Sequence, residues 1–167
     1  MVNDSSNTVT MFPRQLHIIV FDNHSRERIL GIALKLTLFA RHKNDYTIPM
    51  VTNSAGEVHL SAQYVRESIK NDWELFPMDY ESTLDECSED VEIKVCTPED
   101  VQRTIVAMKM FKSASTISEE LIEAFERSVN QEYIPRTVRF NVKRSNKIMI
   151  GIYARAQRPA NGNKPIQ

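Results

Sequence analysis

The stretch at residues 51–61, Val-Thr-Asn-Ser-Ala-Gly-Glu-Val-His-Leu-Ser, constrains the fold most, because a turn there opens directly into a strand. Residues 53–56 are turn formers, and Gly56 can adopt a positive φ at little steric cost. Val58 and Leu60 then alternate with polar residues, which is the period of a strand with one buried face. This stretch therefore predicts a β-rich domain.

The segments on either side of this turn also have the alternation of β-strands. Residues 46–51 enter the turn with alternating apolar positions, so we predict a hairpin. Its first strand should lie at a sheet edge, because Pro49 cannot donate a ladder hydrogen bond. Upstream, residues 16–21 and 32–39 are predicted strands. Downstream, the predicted strands are 90–96, 138–142 and 148–152, of which the last two form a terminal hairpin around Ser145 and Asn146.

Three segments have the spacing or the capping residues of helices. Residues 62–72 place apolar side chains at helical intervals and predict a short inserted helix, with Ser61 as a candidate cap at its start. Thr97 and Pro98 are followed by two acids, which is a strong helix start, so we predict a helix over residues 98–113. A third helix is predicted next, with Thr116 or Ser118 as its N-cap and with its end before Pro135.

Composition favours one ordinary globular domain. The chain has 167 residues, of which 41% are hydrophobic and 26% charged, so it can bury a sizeable core. We predict a disordered N-terminus over residues 1–11, a single domain over 12–156 and a flexible tail over 157–167. Within the domain, residues 12–97 form a β-sandwich core, and 98–156 add the helical pair and the terminal hairpin.

The same composition predicts a cytoplasmic location. Two cysteines are too few for a disulfide framework, and their spacing matches no common zinc pattern. The first residues lack the basic and apolar regions of a signal peptide, and no apolar run approaches the length of a transmembrane helix. We therefore expect no membrane association.

Charge is distributed unevenly although the net charge is only −1. Residues 79–92 carry acids without any Lys or Arg, and residues 136–167 carry bases without any acid. One interpretation is a pair of solvated faces that complement each other; the other is a basic surface that docks an acidic partner or nucleic acid. The predicted binding residues are Arg139, Lys143, Arg144 and Lys147 on the basic side, and Asp85, Glu86, Glu89 and Asp90 on the acidic side.

The order of predicted strands resembles the transthyretin-like, or carboxypeptidase-regulatory-like, β-sandwich over residues 14–97. The similarity lies in a first strand that ends in an acidic turn (Val20-Phe21-Asp22), a second strand (Gly31-Ile32-Ala33-Leu34-Lys35-Leu36), and a turn and strand (Thr52-Asn53-Ser54-Ala55-Gly56-Glu57-Val58-His59-Leu60). The resemblance implies a non-catalytic structural or interaction domain, since most such modules have these roles. The inserted helix and residues 98–156 depart from the pattern.

One branch of the same family is enzymatic, the 5-hydroxyisourate hydrolases. These proteins carry an N-terminal histidine, a central arginine, a second histidine and a terminal Tyr-Arg-Gly-Ser motif. His17 stands near the position of the first histidine, and His59 is the second candidate catalytic residue. The terminal motif is absent, because Tyr153-Ala154-Arg155-Ala156 replaces it and a tail follows.

These observations favour binding over catalysis. The chain lacks the G-x-S-x-G, P-loop, G-x-G-x-x-G and H-E-x-x-H motifs. A metal site from His24, His42 and a carboxylate lacks close ligand spacing, so we predict no metal and no cofactor. Aromatic residues are sparse in the basic segment, which disfavours nucleic acid. We predict an α+β fold that serves as a non-enzymatic protein-interaction module, with a homo-oligomer through an edge strand as a further possibility.

Overall fold

The computed structural model describes residues 13–40, 45–70, 87–110 and 117–155. These ranges contain seven strands and three helices. The strands are β1 (Gln15–Asp22), β2 (Ala33–Ala40), β3 (Tyr46–Val51), β4 (Glu57–Ser61), β5 (Cys87–Val95), β6 (Thr137–Asn141) and β7 (Lys147–Ile152). The helices are α1 (Ala62–Lys70), α2 (Pro98–Met110) and α3 (Glu119–Arg127).

The strands form two sheets, and the fold is α+β. Sheet A has the strand order β4-β1-β7, and sheet B has the order β3-β2-β5-β6. All neighbours are antiparallel except β1 and β7, which are parallel. β6 therefore belongs to sheet B and β7 to sheet A.

One hydrophobic cluster lies between the two sheets. Alternate residues of β1, such as Leu16 and Ile18, contribute to it from sheet A. Alternate residues of β2, such as Leu34 and Leu36, contribute from sheet B and are fully buried. At about 25 cal/mol per Å² of apolar area removed from water, this shared core is the main source of stability.

A second hydrophobic cluster covers part of the outer face of sheet B. Ala33 of β2 points away from the first core and packs with buried residues of α2 and α3, among them Val101, Met108 and Phe125. The helices are therefore docked on sheet B by apolar contacts.

The predicted central hairpin is wrong, because β3 pairs with β2 in sheet B whereas β4 pairs with β1 in sheet A. The chain crosses between the sheets at residues 52–56. Buried Thr52 anchors the crossing, since its hydroxyl accepts from the Ile32 N–H and donates to the Ile29 carbonyl, both at 2.8 Å. Gly56 then turns the chain with φ +73°. Period-2 alternation reports one buried face and not the hydrogen-bonding partner, so two facing strands look like a hairpin in sequence.

The predicted terminal hairpin is wrong for the same reason. β6 adds to β5 at the edge of sheet B, and β7 adds to β1 in sheet A. Between them Val142 is buried, and its N–H donates to the Glu89 carbonyl at 2.9 Å. The connection is thus a second crossing between sheets.

The local signals at the helix starts are confirmed. Ser61 Oγ accepts from the Tyr64 N–H at 3.0 Å before α1, and Thr97 Oγ1 accepts from the Asp100 N–H at 3.0 Å before α2. Ser118, one of two predicted caps, accepts from Leu121 at the start of α3. Pro49 lies in β3, which is an edge strand as predicted. Residues 71–72 and 111–113, where two predicted helices end, lie outside the described residues.

Candidate functional site

Two histidines from distant parts of the sequence are neighbours on the outer face of sheet A. The antiparallel register of β1 and β4 pairs His17 with His59. Both point away from the core, because their neighbours in each strand are the buried residues. Their rings are stacked, with centroids 4.2 Å apart and an interplanar angle of 19°. The structure thus brings together the two histidines that the alternative, hydrolytic prediction names.

Glu57 lies two residues before His59 and on the same face of the strand. Its Oε1 accepts a hydrogen bond from His59 Nε2 at 2.9 Å. His17 Nε2 is 3.3 Å from the same oxygen but is not aligned for a hydrogen bond, and this buried atom has no other partner among the described residues. Arg28 donates to the other carboxylate oxygen, Oε2, at 2.5 Å. We call these four residues the histidine cluster.

The charge of Glu57 is stabilised within the histidine cluster. The hydrogen bond with His59 and the one from Arg28 hold the pKa of Glu57 below its ordinary value, against the opposing effect of partial burial. The Glu57 side chain is 20% exposed, His17 is 28% exposed and His59 is 54% exposed. The cluster is therefore anionic at its centre and open to solvent on the His59 side.

The sequence pattern identifies the two histidines but not their partners. Glu57 and His59 share a face because they are two residues apart in a strand, so that part was readable from the alternation. The contact with His17 depends on the register between β1 and β4, which no local pattern encodes. Arg28 comes from the loop after β1, and no pattern in the sequence predicts its contact with Glu57.

The other residues of the hydrolase pattern lie elsewhere. Tyr153 follows the end of β7, whereas His17 pairs with Lys147 at its beginning. Tyr153 is six residues beyond Lys147, which places it roughly 20 Å along the sheet from the histidine cluster. Its hydroxyl accepts from Asn23 Nδ2 at 2.5 Å. Exposed His24 lies at that end of β1 as well, and His42 lies outside the described residues.

The four predicted basic residues surround the crossing from β6 to β7. Arg139 is exposed on the outer face of sheet B. Its guanidinium is 4.5 Å from the centre of the Phe39 ring and 3.8 Å from the Glu92 carboxylate. Lys143 and Arg144 are exposed in the connecting turn, and Lys147 is exposed on the outer face of sheet A beside His17. We call Lys143, Arg144 and Lys147 the basic corner.

The predicted acidic residues lie close to this corner. Asp90 pairs with Asn141 in the β5–β6 register and accepts a hydrogen bond from its side chain at 3.2 Å. The Glu89 carbonyl binds the N–H of Val142, the first residue of the turn. Asp85 and Glu86 lie outside the described residues. Glu89 and Asp90 are thus neighbours of the basic turn and do not form a separate acidic face.

The remaining candidate features have structural roles. Burial raises the pKa of the Cys96 thiol to about 11, so it is not a nucleophile at neutral pH. A cleft of about 630 Å³ lies between the loop at residues 29–32, the crossing at 51–54 and the end of α3. Its wall includes Gln131, whose side-chain amide holds the Cys96 carbonyl and the Ala33 N–H at 3.1 Å each.

Among the described residues, no helix is both long and apolar enough to cross a membrane. Comparison of the chain with family models, with curated proteins and with solved structures found no significant match in any of the three.

Proposed function

We propose that this protein is a non-enzymatic interaction module with a transthyretin-like β-sandwich scaffold, and that it binds an extended acidic segment of another protein. The sandwich is supported by the two sheets, because buried residues from both of them form one hydrophobic cluster. The basic corner supports the acidic partner.

The observation that carries the binding proposal is the uncompensated charge of the basic corner. Lys143, Arg144 and Lys147 are exposed, and none of them forms an ion pair with an acid of the described residues. Arg139 is partly compensated, because Glu92 lies 3.8 Å away. Exposed cations without partners raise the local concentration of anionic ligands and speed their association.

An unpaired strand edge beside these cations favours an extended ligand. Among the described strands, β7 lies at one edge of sheet A and pairs with β1 alone. At the C-terminal end of this edge, Arg136 donates to the Gly151 carbonyl, and Tyr133 forms a bridge with Ala154. The N-terminal half, which begins at Lys147, has no strand partner beyond β1 among the described ranges. A peptide can add there as a further strand, with its acids facing the basic corner.

The experiment is a binding titration with the purified full chain. The probe is a fluorescent peptide with alternating acidic and β-branched residues, measured by anisotropy at low and moderate salt. We expect saturable binding that weakens with salt, because the charges are exposed. Lys143→Glu combined with Arg144→Glu should weaken it at least about tenfold. The matched control, Arg66→Glu with Arg127→Glu, reverses two exposed helix charges elsewhere and should leave binding unchanged.

The outcomes separate the proposal from its competitors. Equal losses in both double variants would indicate only a net-charge effect and would overturn the proposal. Binding of a single-stranded oligonucleotide in preference to the peptide would replace the protein partner by nucleic acid. A concentration-dependent dimer that blocks the peptide would assign the β7 edge to a second copy of the chain. A tagged pull-down from the source-cell lysate, repeated with the charge-reversed protein, would then identify the physiological partner.

A second candidate function is hydrolysis, and the stacked pair in the histidine cluster favours it. Glu57 binds His59 as a carboxylate orients a general base, and His59 is sufficiently exposed to meet a water molecule or a substrate. The resemblance to the 5-hydroxyisourate hydrolases supplies the substrate class. The separation of Tyr153 and Arg155 from the cluster places this candidate second.

The hydrolase candidate is tested with 5-hydroxyisourate and the purified chain. If it holds, His59→Ala and His17→Ala each lower kcat/KM by about 10²–10⁴-fold, the usual contribution of general acid–base catalysis. His24→Ala changes an exposed histidine outside the cluster and should have no effect. Decay of the substrate at the uncatalysed rate, or equal rates in all variants, would exclude this function.

A further inference from the structure

We propose that His17, Glu57 and His59 form a binding site for one divalent transition-metal ion such as Zn²⁺. The site shares no residue with the basic corner and does not depend on the interaction proposal. One ligand atom from each residue lies within 4.8 Å of the other two.

The spacing of these atoms suits a metal ion. Zn²⁺ bonds to nitrogen and oxygen are about 2.0–2.2 Å long, so tetrahedral ligand atoms lie roughly 3.3 Å apart. The distance to Glu57 Oε1 is 3.3 Å from His17 Nε2 and 2.9 Å from His59 Nε2. Both Nε2 atoms lie near the same oxygen, but the two rings are stacked with an interplanar angle of 19°. Binding of an ion therefore requires a rotation of the imidazoles, so that both lone pairs point to one centre.

The donors are held by rigid elements. His17 and His59 occupy paired positions in adjacent strands, and Glu57 is fixed by the same strand as His59. Two imidazoles and one carboxylate are a common set for Zn²⁺ and its neighbours in the first transition row. Three protein ligands and an open side at His59 leave a fourth position for water or an exogenous ligand.

The buried Nε2 of His17 also supports the site. It is shielded from solvent, and its contact with Glu57 Oε1 at 3.3 Å lacks the geometry of a hydrogen bond. Few buried polar groups of native proteins lack a well-formed hydrogen bond. A metal ion bound between the three donors satisfies His17 Nε2, and it replaces the hydrogen bond between His59 and Glu57.

The charges around the site determine which metal ions we expect it to select. Arg28 binds Oε2 and leaves Oε1 for the ion, so the carboxylate is oriented as metal-bound carboxylates usually are. Lys147 is the register neighbour of His17 on the other side, and its exposed ammonium also faces this surface. With two cations beside a single carboxylate, selectivity should come from the imidazoles. Hard ions such as Mg²⁺ and Ca²⁺, which prefer oxygen ligands, should bind poorly.

The test is calorimetric titration of Zn²⁺ into the full chain after treatment with a chelator. We expect one ion per chain, and competition by Co²⁺ with the absorption of a nitrogen-ligated tetrahedral or five-coordinate centre. His59→Ala and Glu57→Gln should each weaken affinity at least about a hundredfold, because loss of an outer partner alone costs 10–100-fold. His59 is exposed, so its replacement should leave the fold intact, and melting in chelator checks this directly.

Two controls distinguish this site from adventitious binding. His24→Ala removes an exposed histidine outside the cluster, and Cys87→Ser removes a thiol that can bind metal; both should keep wild-type affinity. Equal affinity in wild type and His59→Ala would overturn the proposal, and so would loss of binding in Cys87→Ser alone. Absence of saturable binding in the wild type would overturn it as well. None of these results bears on the peptide titration, which uses the basic corner.

Discussion

The two sheets share one core but differ in their outer faces. Part of the outer face of sheet B, around Ala33, is covered by α2 and α3 through a second apolar cluster that includes Phe125. The outer face of sheet A carries the histidine cluster and exposed residues such as Lys147 and Met149, around one buried apolar residue, Ile19. An apolar patch on an outer face recruits helices, whereas a polar face stays accessible to ligands. Truncations in the apolar patch of sheet B should therefore lower stability more than truncations on the outer face of sheet A, where we expect binding.

We expect the largest loss of stability from a change that disrupts the packing of the helices on sheet B. Phe125→Ala removes a fully buried side chain from the second cluster and should lower the free energy of unfolding by about 3–5 kcal/mol. Met149→Ala truncates a half-exposed apolar residue on the outer face of sheet A and should change it by less than about 0.5 kcal/mol. Urea unfolding measures both. Similar losses in the two variants would contradict the contrast between the faces.

The next effect concerns the crossing that joins the sheets. Gly56 has φ +73°, and an added Cβ would lie 2.7 Å from Arg28 Cβ and 2.8 Å from the Ile29 nitrogen. Gly56→Ala should therefore cost about 2–4 kcal/mol from strain and overpacking. Gly31→Ala is the matched control, since φ is +75° and no heavy atom lies within 4 Å of its Cβ position. Thermal melts should show a clearly larger loss for Gly56→Ala.

A smaller effect tests how α2 is fixed to sheet B. Buried Asp100 accepts from Lys94 of β5 at 2.8 Å and from Arg103 at 2.9 Å. Although burial opposes ionisation, these bonds and those with Thr97 hold the pKa of Asp100 well below its ordinary range. Asp100→Asn should cost about 1.5–3 kcal/mol at neutral pH.

The pH dependence of Asp100 has a definite sign. A depressed folded-state pKa adds stability above the unfolded pKa of about 3.9, and this is lost as pH falls toward the folded value. As pH falls from about 5 to about 2, the free energy of unfolding should therefore decrease more for wild type than for Asp100→Asn, as measured by urea unfolding. Glu99→Gln, at the exposed neighbouring position, should follow wild type. Parallel curves for wild type and Asp100→Asn would contradict the assignment.

The smallest effect sharpens the contrast at the histidine cluster. In the presence of chelator, His59→Ala should change the free energy of unfolding by about 0.5 kcal/mol or less, because the side chain is 54% exposed. In saturating Zn²⁺ the wild type should be more stable than this variant, since an ion that binds the folded state stabilises it. Melting curves with and without metal measure both differences. A large loss in chelator would assign His59 a structural role.

Local signals predicted most of the elements. The buried alternation of β2 and the capping residues Ser61 and Thr97 identified strands and helices because neighbours in the chain determine them. Both predicted hairpins were wrong, since strand pairing depends on which faces meet across the core. His17 and His59 were recognised as candidates, but their mutual contact and the contact of Arg28 with Glu57 were not, because register and a loop bring these residues together.

Local sequence patterns predicted which residues point inward, where the helices begin and where charge concentrates. These properties follow from side-chain chemistry and from the backbone periods of helix and strand. Only the folded structure shows that the connections at residues 52–56 and 142–146 cross between the sheets and that His17 stacks on His59. It also places Glu89 and Asp90 beside the basic turn. Pairing and register are long-range choices, fixed when two apolar faces close over one core, and no short segment carries that information.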